Sequence, residues 1–253
     1  MLQENLIRMY EESFRTHREL PALTDYFKGE TFSYYEMAKE IAKLHLFFKK
    51  AEIRRGDKIA LVGRNNPRWC ITYLATITYG AVIVPILQDF APADIVHIVN
   101  HSESRLLFVG DNYWDIIEED EIARIDAVLS LTDFHVIYER RGKSLGVYMR
   151  DMVKNYRAKY KRGFSADDIK YPDIPNDQMV LLNYTSGTTG YSKGVMLTDD
   201  CFNGIALQFQ AYPKLFHRGQ KLMNVMPPFI AYGFACGIHL PLVLGFTVII
   251  IPN

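Results

Sequence analysis

The residues with the densest chemistry form one run, Tyr184-Thr185-Ser186-Gly187-Thr188-Thr189-Gly190-Tyr191-Ser192-Lys193-Gly194. Glycines let the backbone take positive φ and bring its N–H groups close to an anion. Ser and Thr hydroxyls add rotatable donors, and a lysine supplies a point charge. That inventory suits the oxygens of a polyphosphate. The spacing is not that of the common P-loop, which counted from Gly187 needs a glycine where Ser192 stands, and no G-x-G-x-x-G turn occurs here. By composition alone, an ordinary flexible Ser/Thr/Gly loop is an equal reading. His97 and His101 stand at i and i+4, a spacing that puts two imidazoles on one helical face. HIVNH has no acid between them, so solvent-facing histidines are favoured over a metal site. A nucleophile elbow is absent, because Ser186 is preceded by Tyr184-Thr185 and not by Gly-x.

The elements that must hold this run are legible around it. QMVLLNYT before it and VMLT after it have strand length and apolar content, and a long helix is expected from Asp199. Upstream, helical spacing appears over residues 3–15 and in YEMAKEIAKLHLFF, where Met37, Ile41, Leu44 and Phe48 share a face. KIALVG, AVIVPI, RLLFVG and DAVLSL read as strands. Between them lie a helix opened by Asn66-Pro67 and closed by Gly80, a short helix from Pro92 to His101, and a helical NYWDIIEEDEIA. Residues 144–161 read as one helix, KLMNVM and FTVIII as strands, and a helix follows Pro228. Strands that are apolar throughout and alternate with helices predict an α/β protein with parallel sheets covered on both faces. The acidic, proline-containing GFSADDIKYPDIPND suggests an internal boundary, dividing the chain into residues 1–171 and a second unit, 172–253, that carries the Gly-rich loop.

Composition narrows the function classes. In 253 residues, 29 Lys and Arg balance 29 Asp and Glu, so no broad basic field exists to hold nucleic acid. Cys70, Cys201 and Cys236 are odd in number and far apart, which argues against a disulfide scaffold and a thiolate zinc site and for a cytoplasmic setting. MLQENLIRMYEESF has no apolar h-region, so it reads as a native start and not as a targeting signal. Leu222 to Asn253 holds no Asp, Glu, Lys or Arg, but its prolines and Gly245 cut it into short pieces, and buried core is favoured over a membrane span. The short basic runs at Arg140-Arg141 and at 159–162 read as solvated faces, with a weak membrane-surface contact as the lesser reading.

YTSGTTGYSKGV closely resembles the phosphate-loop signature of the adenylate-forming superfamily, which includes acyl-CoA synthetases, firefly luciferases and peptide-synthetase adenylation domains. TFSYYEMAKEIAKL, IRRGDKIALVGRNNPRW, YGAVIVPI and PADIVHIVNHSESRLLFV agree with it in order, so the resemblance covers nearly all of residues 20–252. GRNNPRW followed by an apolar helix and GAVIVPI is most similar to the long-chain fatty acyl-CoA synthetases. The resemblance implies two mostly parallel sheets with covering helices, the N-terminal part of the family's large domain. It also implies a two-step reaction in which a carboxylate, here a medium- or long-chain fatty acid, attacks ATP to give acyl-adenylate and pyrophosphate, and coenzyme A then displaces AMP.

Onto this sequence the family's phosphate-binding roles carry over as Thr185, Ser186, Gly187, Thr188, Thr189, Gly190, Lys193 and Gly194. Lys193 would stabilise charge, and Thr188 would stand nearest to a Mg²⁺ ion carried by ATP. Phe229, Tyr232 and Gly233 are candidate lining for an acyl tunnel, with plain core as an equal reading. Two positions depart from the pattern. Ser192 stands where the signature usually has Pro, and PPFIAYG has Ile230 where the family usually has His. Family members are roughly twice as long, so a downstream adenine-binding segment and a C-terminal domain with a catalytic lysine are expected to be missing partners of this half, without which it should be inactive. A non-catalytic nucleotide- or acyl-binding module with the same fold is the rival reading.

Overall fold

The computed structural model describes residues 4–117, 121–122, 124–185 and 192–252. Two sheets form. In chain order the strands are β1 (Pro21–Asp25), β2 (Thr31–Ser33), β3 (Lys58–Val62), β4 (Val82–Ile86), β5 (Leu106–Val109), β6 (Ala127–Ser130), β7 (Val136–Glu139), β8 (Met179–Thr185), β9 (Lys193–Thr198), β10 (Lys221–Asn224) and β11 (Thr247–Ile250). A seven-stranded sheet has the order β7-β6-β5-β3-β4-β8-β9, and a four-stranded sheet the order β10-β11-β1-β2. Neighbours are parallel except at the β1/β2, β6/β7 and β8/β9 pairs. β8 and β9 join the first sheet and β1 and β2 complete the second, so both sheets draw strands from either side of residue 171.

The helices are α1 (Leu6–Thr16), α2 (Tyr34–Lys50), α3 (Pro67–Tyr79), α4 (Pro92–His101), α5 (Asp111–Trp114), α6 (Leu145–Arg150), α7 (Met152–Lys159), α8 (Asp200–Gln210), α9 (Ala231–Phe234) and α10 (Leu240–Val243), the last two joined by a π turn at Ala235–His239. Local chemistry sets their ends. The Ser33 side chain accepts from Glu36 N while the Glu36 carboxylate accepts from Ser33 N, a reciprocal capping box at α2. Asn66 accepts from Trp69 N at the start of α3, Pro67 fills its first turn, and Gly80 ends it in the left-handed region at φ 89°. The helix expected over 144–161 breaks in two at Arg150/Asp151, and the one expected over NYWDIIEEDEIA holds only at α5 among the described residues.

Burial explains why the central strands lack alternation. Ile59, Leu61, Ile83, Leu106 and Phe108 face a core shared with α2 and α3, whereas Ala60, Val62, Val84, Leu107 and Val109 face a second core beneath α4. Each strand is apolar because both its faces are covered. The charge-free run from Leu222 folds into β10, α9, α10 and β11, with Ile238, Leu242, Val248 and Ile250 fully buried. Among the described residues no helix is long and apolar enough to cross a membrane.

Two histidines sit within these cores. The Nδ1 of fully buried His239 lies 2.9 Å from the Tyr10 hydroxyl, and the Nε2 of His45 lies 3.0 Å from the Ala75 carbonyl. Desolvation pulls each imidazole down to about 4, against the opposing pull of a backbone hydrogen bond. Both are therefore neutral in the fold at neutral pH. An unfolded histidine takes up its proton near 6.5. Their contribution to stability is thus complete above that pH and declines as pH falls toward about 4, by on the order of 3 kcal/mol for each. Urea denaturation across this window is expected to show the decline, with His239→Gln flattening it. An acid limb of unchanged steepness in the variant would contradict the assignment.

Candidate functional site

The Gly-rich run is held by a β-hairpin at the edge of the seven-stranded sheet. β8 and β9 pair antiparallel with Tyr184 opposite Gly194 and Thr185 opposite Lys193, so the two strands deliver both ends of the loop together. The Thr185 and Lys193 side chains are exposed at that end. Ser186, Gly187, Thr188, Thr189 and Gly190 lie outside the described residues. Gly194 leaves room for two side chains across the hairpin: a Cβ there would meet Leu182 Cδ1 at 2.9 Å and Tyr184 Cζ at 3.3 Å. A bare backbone opposite an aromatic ring lets the ring lie across the strand. Tyr184 is 7% exposed, and its hydroxyl, raised by desolvation, lies 2.6 Å from His101 Nδ1. Of the histidine pair singled out by spacing, His101 thus braces the base of the hairpin, with its ring centroid 5.5 Å from that of His97. Among the described residues no group of three or more His, Cys, Asp or Glu could hold a metal ion.

The second set of expected residues reaches the same edge of the sheet. β3, β4 and β8 are adjacent and parallel, with Ile83 opposite Leu181, so their carboxyl ends point the same way and Thr185 stands level with Leu87. Phe229 is half-buried and lines a small pocket with Gly63, Asn65, Trp69 and Gln88, the residues just beyond β3 and β4 and on α3. The crevice outside the carboxyl ends of strands is where open α/β sheets bind ligands. Gly233 is buried, and a Cβ there would fall 2.1 Å from the Pro227 carbonyl oxygen, so the 227–233 turn closes only on glycine. Tyr232 is 63% exposed, with its hydroxyl raised by the hydrogen bond it donates to the Cys236 side chain. Ile230, where a histidine was expected, is 42% exposed. His239 does not take that place, since it is buried against Tyr10.

A cleft of about 350 Å³ continues along this edge, between Gly110 and Tyr113 after β5, Arg64 to Arg68 at the start of α3, and Asp25, Lys28 and Glu30 from the β1/β2 turn. Arg68 and Glu30 form a bidentate pair, both contacts 2.8 Å. With Lys28 and Arg64 added, the cleft is lined by more cations than carboxylates. Sequence reasoning did not single these residues out; the available signal was the position of GRNNPRW directly after a parallel strand.

The sequence profile of AMP-binding enzymes matches residues 10–253. The chain belongs to that family. Among curated members, the 4-hydroxybutyrate–CoA ligase 2 of Metallosphaera sedula is 32% identical over 58% of this chain and 26% of its own length. The long-chain-fatty-acid–CoA ligase of Salmonella typhimurium is 21% identical over 99% of this chain and 47% of its own. The chain thus spans half or less of the length of these AMP-binding relatives. In fold it is similar to the anthranilate CoA ligase AuaEII in complex with anthranoyl-AMP, at TM-score 0.77 and 15% identity over 100% of this chain and 45% of that one. It is also similar to the inhibitor-bound N-terminal domain of FACL13 from Mycobacterium tuberculosis, at TM-score 0.76 and 20% identity over 99% and 58%. The two mostly parallel, helix-covered sheets are the N-terminal architecture of adenylate-forming enzymes.

Proposed function

We propose that this AMP-binding chain forms the N-terminal half of an acid–CoA ligase that activates a medium- or long-chain fatty acid through an acyl-adenylate. The observation that carries the proposal is the family match across residues 10–253 together with a hairpin that places Thr185 opposite Lys193 at the open end of β8 and β9. During adenylation, charge moves from the α–β bridge of ATP onto departing pyrophosphate. Lys193 and the hydroxyls and N–H groups of residues 185–190 are the donors this reading assigns to meet it. A Mg²⁺ ion carried by ATP would neutralise phosphate charge, with Thr188 as the nearest candidate hydroxyl. Phe229, Gly233 and Tyr232 line the path assigned to the acyl chain. The fatty-acid assignment draws on the long-chain-fatty-acid–CoA ligases among the relatives, of which that of Salmonella typhimurium extends over 99% of this chain.

The chain acts with downstream residues that supply the adenine wall and a second lysine, works at the cytoplasmic side with a weak membrane-surface contact, and has no adenylation activity alone. A second reading is specifically motivated by Ile230, because no buried histidine replaces the expected one: a nucleotide- or acyl-binding module without turnover. Product analysis on the complete protein separates the two. With ATP, coenzyme A and acids from acetate to oleate, AMP and pyrophosphate are expected in an acid-dependent manner, most rapidly with the longer acids. Nucleotide binding without AMP formation would establish the module, and ADP in place of AMP would defeat both the ligase and its mechanism.

A further inference from the structure

From Cys201 to Asn253 the sequence contains no Asp or Glu, and its lysines and arginine, Lys214, Arg218 and Lys221, all fall in one short stretch between α8 and the start of β10. All three are exposed. The same stretch exposes Tyr212 by 61% and Leu215 by 64%. Behind them the rings of Phe209 and Phe216 meet edge to face with centroids 4.8 Å apart, and with Gln208 and Ala211 they floor an open, mainly apolar hollow of about 540 Å³. The platform is internally tied. Leu215 N and Phe216 N each donate to the Tyr212 carbonyl at 3.0 Å, Gln220 Nε2 donates to the Leu215 carbonyl at 3.0 Å, and Gly219 N donates to the Gly245 carbonyl at 2.9 Å.

We propose that residues 209–221 are the face by which the protein lies on an anionic phospholipid surface. A tyrosine at headgroup depth, a leucine reaching the acyl boundary and long basic side chains directed back to lipid phosphates are the chemistry of an interfacial contact. Charge complementarity favours a bilayer carrying acidic lipids, since no acid in this part of the chain offsets the three cations. From another element, His17 at the end of α1 feels Arg218; its imidazole is lowered by burial and by that arginine, and it adds no negative charge. The other basic runs lack this partnership: no large apolar residue is exposed from 136 to 143 or from 156 to 164. The proposal rests on the membrane-surface contact of the proposed function and assigns it to one face; it is read without turnover, so the lipid contact and the ligase chemistry can each fail alone.

The test is co-sedimentation of the complete protein with vesicles of one part phosphatidylglycerol to two parts phosphatidylcholine, and with phosphatidylcholine alone. Binding to the anionic vesicles is expected, weakening as salt is raised. K214Q/R218Q/K221Q is expected to lower it on the order of a hundredfold, at roughly fivefold for each base. Y212S/L215S should lower it roughly tenfold even where salt already screens charge. Circular dichroism confirms that both variants remain folded, as expected for exposed side chains. Absence of binding by the parent protein would overturn the proposal, as would unchanged binding by the two variants, or loss only when Arg140, Arg141, Lys159, Lys161 and Arg162 become glutamine. Light scattering that shows Y212S/L215S splitting a dimer, with vesicle binding intact, would assign the face to a second copy of the chain and overturn it too.

Discussion

Replacing Lys193 by alanine in the complete protein is expected to slow adenylation on the order of a hundredfold and to leave the melting temperature nearly unchanged. The two halves of this result have separate causes. Lys193 is exposed at the first position of β9, opposite Thr185, and belongs to neither hydrophobic cluster, so its loss creates no cavity. A charge-assisted contact that strengthens as pyrophosphate departs is worth roughly 2 to 4 kcal/mol in the transition state. Lys193→Arg keeps the charge with a different donor geometry and is expected to fall between the two. Thr188→Ala should act in the same direction with a smaller effect, because a neutral donor is lost. Turnover by Lys193→Ala equal to that of the parent would assign the lysine to a solvated strand end.

Gly233→Ala is expected to do the opposite, damaging the fold before the chemistry. Its new methyl would stand 2.1 Å from the Pro227 carbonyl oxygen and 2.9 Å from the Pro227 carbonyl carbon, both backbone atoms that no rotamer change can move aside. Relief requires opening the turn that carries Phe229 to the pocket it lines with Gly63 and Trp69, at a cost of roughly 3 kcal/mol. Urea denaturation should show a midpoint shift of that size. Tyr232→Ala, one residue earlier at a side chain 63% exposed, should shift the midpoint little and make itself felt, if the tyrosine lines the acyl path, in the Michaelis constant for the acid. A midpoint unmoved in Gly233→Ala would mean that the 227–233 turn does not close on its own backbone.

The central βα units were legible because each strand is buried on both faces and each helix carries its own punctuation. Asn66-Pro67 at one end of α3 and Gly80 at the other state its limits in three residues. What the sequence hid is two-sided partnership across long separations. Pro21–Asp25 is too short and too mixed to read as a strand, and it exists because β11, more than 200 residues later, pairs with it in parallel through Leu23 and Val248. β7 has no fully buried residue, being an antiparallel edge, so it lacks the apolar signal of its neighbours. The site was legible in part. The Gly, Ser, Thr and Lys of the loop fit anion chemistry by type but equally an ordinary flexible loop, whereas the Tyr184–His101 bond depends on a helix end meeting a strand 83 residues away. The role of Gly194 likewise follows from the two side chains across the hairpin, which spacing along the chain does not reveal.

Whether residues 185–194 help activate a carboxylate at the α-phosphate of ATP is decided by mass spectrometry of the complete protein incubated with ATP, Mg²⁺ and palmitate in the absence of coenzyme A. An enzyme-bound palmitoyl-adenylate is expected to appear with one equivalent of pyrophosphate, to be consumed on adding coenzyme A, and to accumulate far more slowly in Lys193→Ala. Formation of palmitoyl phosphate and ADP, or a palmitoyl-adenylate that forms equally fast without Lys193, would contradict it.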